Sequence, residues 1–257
     1  MAWEIQETKG VALVYMNSNS VNRQNPGFFG DLANALDQLE ASFADLPVVL
    51  TSKERIFSAG FDFDYWFPLI ARGDVDTVQR SYTEFKKINL RLFSYPRPTV
   101  AAINGHAYAG GLITALCCDF RIAVKSGTNL SLNEVAIGLA MPSLFTEIIR
   151  YAVGTVSAAK ATLSAEVYSA EEALSLGLVD SLTSQDNLLS EAMVIAKRLA
   201  PDCNTAYAFS KEALQAPTLK RIREETDVLD GRRFGETWCS SDAQSATART
   251  YRTLKKR

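Results

Sequence analysis

Apolar and polar positions alternate at the start of the chain. Trp3–Glu7 and Val11–Tyr15 both follow a period of two, and Thr8-Lys9-Gly10 divides them. A period of two marks a half-buried strand, and a short divider containing glycine makes the pair a hairpin. The period then lengthens. Phe28, Phe29, Leu32, Leu36, Leu39 and Phe43 recur at helical spacing. Asn25 precedes them as an N-cap, and Pro26 takes the first helical position, where its missing N–H costs nothing. Pro47–Leu50 is a short apolar strand. The opening order is therefore strand, strand, helix, strand.

Ile56–Asp64 reads as a turn-rich link, with Asp62 and Asp64 as a helix N-cap and its neighbour. An irregular, partly helical stretch is expected from there to about Tyr95, where Pro96 and Pro98 stop it. Thr99–Ile103 is a buried strand. A helix opening at Gly110-Gly111 follows, and then the strand Phe120–Val124. Strands separated by helices imply crossover units and a largely parallel sheet. Asp119 closes the glycine helix, where its charge opposes the dipole, so a structural hydrogen bond is expected for it. From Ser143 onward the pattern reads as helical. Ser169-Ala170-Glu171-Glu172 has the capping-box spacing, and Gly177 suits the C-cap. No internal repeat is legible. The chain divides into a sheet-rich core over 1–190 and a helical region over 191–257.

Composition narrows the class. Of 257 residues, 47% are apolar, enough for a sizeable core. A formal net charge of −2 gives no global basic field for nucleic acid. The tail from Ala246 is locally basic, suited either to a solvated helix end or to an anion contact. Cys117, Cys118, Cys203 and Cys239 have no ligand spacing, and the chain holds one histidine, so no metal is expected. The N-terminus enters its alternating pattern without an apolar signal core or an arginine-rich leader, and no apolar run reaches membrane-spanning length. The last residues are not a Ser-Lys-Leu address. The expectation is a cytosolic protein with reduced thiols.

Two links pair small residues with a following helix: Phe57–Phe63, FSAGFDF, and Gly105–Gly111, GHAYAGG. Glycine permits positive φ and close approach, and the first N–H groups of a helix point outward without partners. Side by side, two such turns would aim two N–H donors at one developing oxyanion. His106 lies in the second block and reads as a hydrogen-bonded turn or core histidine.

FSAGFD, then INGHAYAGG, then LNEVAIGLAMP from Leu130, then SAEEALSLGLVD at Ser169–Asp180, resembles the crotonase family, the enoyl-CoA hydratase/isomerase superfamily. The resemblance covers nearly the whole chain. It implies an α/β fold: a crotonase-like spiral of repeated β-β-α units with a helical C-terminal trimerisation region. It implies a homotrimer or dimer of trimers acting on acyl-CoA, with coenzyme A entering as part of the substrate and no separate cofactor. It places the two oxyanion N–H groups on Phe61 and Gly110. It also implies that Asn22, Arg23, Ser58, Ala59, Gly60 and Asp62 hold substrate or its coenzyme A moiety; for Lys255–Arg257 a phosphate contact stands second to plain surface charge.

Hydratases of the family carry one glutamate three residues after the donor glycine and another at the next turn. Here the first position is Ile113, which has no acid-base capacity, and the second is Glu134. Water addition needs two proton-handling groups. An apolar first position with a Leu-Asn-Glu block resembles the Δ3-Δ2-enoyl-CoA isomerases of fatty acid β-oxidation, where one base suffices. Ala140–Phe145 replaces the small glycine-rich turn of many hydratases and would exclude water and raise the pKa of the base. The alternatives are a hydratase or thioester hydrolase working with Glu134 alone, or a coenzyme A-binding paralogue without turnover.

Overall fold

The structure is a computed structural model that describes residues 3–199, 204–229 and 232–256. Cys203 and Arg257 lie outside the described residues. Strands β1 (Glu4–Thr8) and β2 (Val11–Met16) pair antiparallel with Thr8 opposite Val11. Lys9 and Gly10 turn between them at φ of 51° and 73°. A two-residue hairpin turn demands that left-handed pair.

The chain then winds through similar passes. β2 leads to β3 (Arg23–Gln24) and α1 (Pro26–Ser42). β4 (Val48–Ser52) leads to β5 (Gly60–Phe61), α2 (Phe63–Ala71) and α3 (Val75–Phe93). β6 (Thr99–Ile103) leads to β7 (Ala107–Tyr108) and α4 (Gly110–Leu116). β8 (Phe120–Val124) leads to β9 (Asn129–Ser131), a 3-10 turn at Val135–Ile137 and α5 (Ser143–Ser164). Each long strand lies parallel to the last, in the order β2-β4-β6-β8. The short strands stack in a second layer, β3 beside β5 and β7 beside β9, with a bridge from Ser58 to Ala107. This is the spiral of β-β-α units. Its repeat lies in the path of the backbone and leaves no trace in side-chain identity.

Then come β10 (Tyr168–Ser169), α6 (Ala170–Leu176), β11 (Ser181–Thr183), α7 (Leu188–Leu199), α8 (Asn204–Leu229), α9 (Arg232–Trp238) and α10 (Ser241–Leu254). Two expectations are corrected here. The region after Ser143 is not continuously helical: β10 pairs with β9, β11 extends the main sheet beside β8, and Gly154 (φ 75°, ψ 163°) breaks α5. Strands of two or three residues are too short to show a period. The stretch before Tyr95 is not irregular but holds two regular helices. In α3, Val78, Tyr82, Phe85, Asn89 and Leu92 face inward, and Asn89 interrupts the apolar stripe. Its Nδ2 donates to Phe85 O at 2.9 Å, which satisfies it in the core.

The local signals elsewhere hold. Asn25 Oδ1 accepts from Phe28 N–H at 3.1 Å, the Ser169 capping box closes in both directions, and Gly177 takes φ 77°. Asp119 accepts from Thr99 and from Lys211 of α8, so its role is the expected structural one. On one face of the sheet Val11, Leu13, Val49, Val100 and Ile122 meet Leu188, Ala192 and Ala196 of α7. On the other Val14, Met16, Leu50, Ala101 and Ile103 meet the main core. Burial on both faces makes these strands unbroken apolar runs, and it corrects the reading of Val11–Tyr15 as a half-buried alternating strand: β2 is buried on both faces.

β11 is tied in by charge. Asp180 accepts from the N–H of Arg121 at 2.7 Å and pairs with its guanidinium, which is only 5% exposed. Asp180→Ala leaves that cation buried and unpaired. It is expected to lower stability by about 3–5 kcal/mol in urea denaturation, and an unchanged midpoint would contradict this role.

Candidate active site

The site starts from two main chains that touch. Gly60 of β5 has φ 71°, and a side chain there would collide with the carbonyl of Tyr108 in β7. Glycine is required twice over, by conformation and by contact. One turn further on, Gly111 lies against Ser58 in the same way. Between them Ala109 is held at φ 49°, ψ −128°, a conformation costly for any residue with a Cβ. Its N–H donates to Ser131 O at 2.8 Å.

These contacts set two N–H groups. Ile113 N–H to Ala109 O, at 3.1 Å, is the first bond of α4, so Gly110 N–H has no intrahelical partner. In β5, Asp62 N–H donates to Gln24 O at 3.2 Å. Successive N–H groups of an extended strand point to opposite edges. Phe61 N–H therefore points away from β3.

Phe61, Gly110 and Glu134 border one small cavity of about 40 Å³. Aromatic rings wall it. Phe61 stacks on Trp66 at 5.1 Å between centroids and meets Trp238 edge-on at 5.2 Å, while Phe29, Tyr82, Phe85 and Phe145 add to the wall. Glu134 is 5% exposed, and its Oε2 is buried with no hydrogen-bond partner among the described residues. Burial disfavours the carboxylate and pushes its pKa up to about 7. A general base works best with a pKa near the working pH. Ile113 is fully buried in the main core and does not border the cavity.

A larger groove, about 520 Å³, shares Phe61 with this cavity. Arg23, Ala59, Asp64, Tyr108, Asn133, Tyr251 and Lys255 line it. Asp64 collects its cations: it accepts from Lys255 Nζ at 2.7 Å, from Tyr251 O–H at 3.0 Å and from Arg23 at 3.4 Å. The Lys255 bond, foremost, holds the Asp64 carboxyl below the usual carboxylate range. Another hollow, of about 590 Å³, opens by Tyr15, Thr51, Lys53 and Asn104, but Glu134, Phe61 and Gly110 lie outside it.

The residues singled out in the sequence thus separate. Arg23 and Ala59 border the groove. Asn22 is fully buried: it donates to Ser52 Oγ at 2.7 Å and to Phe57 O at 3.2 Å, and accepts from Ser18 N–H at 3.1 Å. Ser58 Oγ donates to Asn22 O at 2.7 Å and accepts from Gly60 N–H at 3.1 Å. Asp62 caps α2, accepting from Asp64 N–H at 3.1 Å and from Asn25 Nδ2 at 2.6 Å. Asn22, Ser58, Gly60 and Asp62 frame the turn from behind. His106 Nδ1 accepts from Asn129 N–H at 3.0 Å, and its carbonyl accepts from Phe57 and Ser58, as expected of a turn histidine.

Sequence reasoning missed Gln24, Trp66, Trp238 and Tyr251. The nearest signal was the scarcity of tryptophan, three in the chain. Trp238 lies far from Glu134 in sequence, and its Nε1–H donates to Ala140 O at 2.8 Å, which brings α9 over the cavity. Among the described residues, no group of His, Cys, Asp and Glu side chains could hold a metal ion, and no helix is long and apolar enough to cross a membrane.

Residues 6–253 match the family described as enoyl-CoA hydratase/isomerase. A Thermus thermophilus protein named as a candidate enoyl-CoA hydratase is 35% identical over 214 residues, 82% of this chain and 83% of that protein. Enoyl-CoA delta isomerase 2, peroxisomal, of Arabidopsis thaliana is 30% identical over 224 residues, 84% and 93% of the two chains. The human mitochondrial delta3-delta2-enoyl-CoA isomerase superposes with a TM-score of 0.89 at 25% identity, over all of this chain and 99% of that one. Hydratases and isomerases stand at similar distances, and what they share extends over nearly the whole length: the chain belongs to the enoyl-CoA hydratase/isomerase family.

Proposed function

We propose that this protein is a Δ3-Δ2-enoyl-CoA isomerase of fatty acid β-oxidation, with Glu134 as its single base. One observation carries the reading: Glu134 is the one acid among the described residues that border the aromatic cavity. Glu134 takes a proton from C2 of a 3-enoyl thioester, the electron pair spreads over the dienolate, and the thioester oxygen gains charge. The N–H groups of Phe61 and Gly110 receive that charge. The protonated Glu134 then delivers the proton to C4, and the double bond moves to the 2-trans position. No water is consumed, so a dry aromatic wall favours the reaction and a second acid is unnecessary.

The groove beside Phe61 receives the coenzyme A moiety, with Arg23 and Lys255 toward its phosphates. Asn22, Ser58, Gly60 and Asp62 act there through the turn they hold. Coenzyme A enters only as part of the substrate. The proposal extends to a homotrimer or dimer of trimers in the cytosol. The second reading is a hydratase using Glu134 alone, which the identity with the Thermus protein supports. Purified protein is to be assayed with both 3-enoyl-CoA and 2-enoyl-CoA. Faster hydration of the second than isomerisation of the first would sink the isomerase reading.

Glu134→Gln is expected to lower kcat roughly 10³-fold with little change in acyl-CoA affinity. Unchanged turnover would remove Glu134 from the mechanism. In the wild type, kcat/KM is expected to rise with pH and level off above an apparent pKa of about 7. Stability runs the other way. The folded chain keeps a proton that the unfolded chain releases above 4.5. Unfolding free energy therefore falls as pH rises from 4.5 to about 7 and is flat beyond. Glu134→Gln should match the wild type in thermal midpoint at the acid end of that window and exceed it at pH ~8. A constant difference across the range would contradict desolvation as the cause.

A further inference from the structure

We infer that Gln24 is a positioning residue that sets the two oxyanion donors relative to one another. The inference rests on the assignment of those donors to Phe61 and Gly110. Gln24 reaches both halves of the hole. Its main chain belongs to the first half: it lies opposite Phe61 in the β3–β5 ladder, and its carbonyl accepts from Asp62 N–H at 3.2 Å and from Trp66 Nε1–H at 3.3 Å. Its side chain belongs to the second half. Nε2 donates to Gly110 O at 3.0 Å and to Thr114 Oγ1 at 2.9 Å, and Thr114 Oγ1 itself donates to Gly110 O at 3.1 Å. The carboxamide, the threonine hydroxyl and the Gly110 carbonyl close a triangle over the first turn of α4.

Contact reinforces the bonds. A side chain at residue 110 would meet Gln24 Oε1, so the carboxamide in its present rotamer fills the space beside the Gly110 Cα. Gly110 itself needs no unusual φ, and its bare Cα lets the Gln24 carboxamide lie against it. The chemistry of the surroundings points the same way. Gln24 is 5% exposed and borders a cavity walled mainly by aromatic rings. Burying a carboxamide there costs free energy unless its hydrogen bonds are made, and an apolar side chain of equal length would fill the volume without that cost. What the carboxamide adds is registration: α4 can neither rotate nor slide against β5 without breaking a hydrogen bond.

The test uses Gln24→Met, which keeps the length and removes both donors, and Thr114→Val, which keeps the volume and removes one partner. The probe is a cinnamoyl-CoA bearing a para electron-donating group, whose absorption moves to the red when its carbonyl is polarised. Wild type is expected to shift the band. Gln24→Met should lose at least half of that shift. It should also lower kcat roughly ten- to a hundredfold, for whichever acyl-CoA reaction the wild type performs, with KM within about twofold. Thr114→Val should move both readouts the same way by less, and it carries the test if Gln24→Met does not fold. A full red shift and wild-type kcat in folded Gln24→Met, or in Thr114→Val should that be the only folded variant, overturns the positioning role. Absence of any shift in the wild type overturns the donor assignment itself, and with it this inference.

Discussion

The close approach of Gly60 to the Tyr108 carbonyl is the constraint on which the rest of the site depends. Two turns of the spiral meet there with no side chain between them. That contact sets the spacing of β5 and β7, and hence of the helices that leave them. Gly111 against Ser58 repeats it one layer further in. Ala109 shows what the arrangement costs: an alanine is held where alanine is disfavoured, by order 1–3 kcal/mol. The surrounding core over-determines its conformation, and the Ser131 carbonyl fixes its N–H.

Against this rigid frame the energetics of Glu134 become intelligible. Its carboxyl oxygen is buried without a partner, an arrangement that opposes folding in the ionised form. The rings of Phe61, Trp66, Phe85 and Trp238 contact one another at centroid separations of 5.1–5.5 Å and stabilise the same region through buried apolar area. The same rings that stabilise the fold make the carboxylate basic. Packing and reactivity have a single cause here.

The long strands and capped helices were legible in the sequence because each carries its signal locally. Thr99–Ile103 and Phe120–Val124 appear at the residues their apolar runs marked, and Asn25 and Ser169 cap the helices they precede. What escaped was held by tertiary contact. β10 and β11 are too brief to show a period and exist because β9 and β8 offer an edge. The spiral came from resemblance, since its repeat is one of path. Within the site, Glu134, Phe61 and Gly110 were found through ordered motifs and meet around one cavity. Gln24 was missed because nothing separates it from Arg23 and Asn25 in the chain; its importance lies in a bond that spans 86 residues. Asn22 and Ser58 were marked as ligand contacts, yet the fold turns them inward, because a tight turn between buried strands must satisfy its own polar groups first.

Trp238 has one further consequence. It arrives from α9, late in the chain, and is pinned to the Ala140 carbonyl on the segment that follows Glu134. The apolar medium around the carboxyl is therefore completed by a residue from the C-terminal part of the chain. Trp238 of α9 thus helps set the local permittivity in which a residue more than a hundred positions earlier titrates.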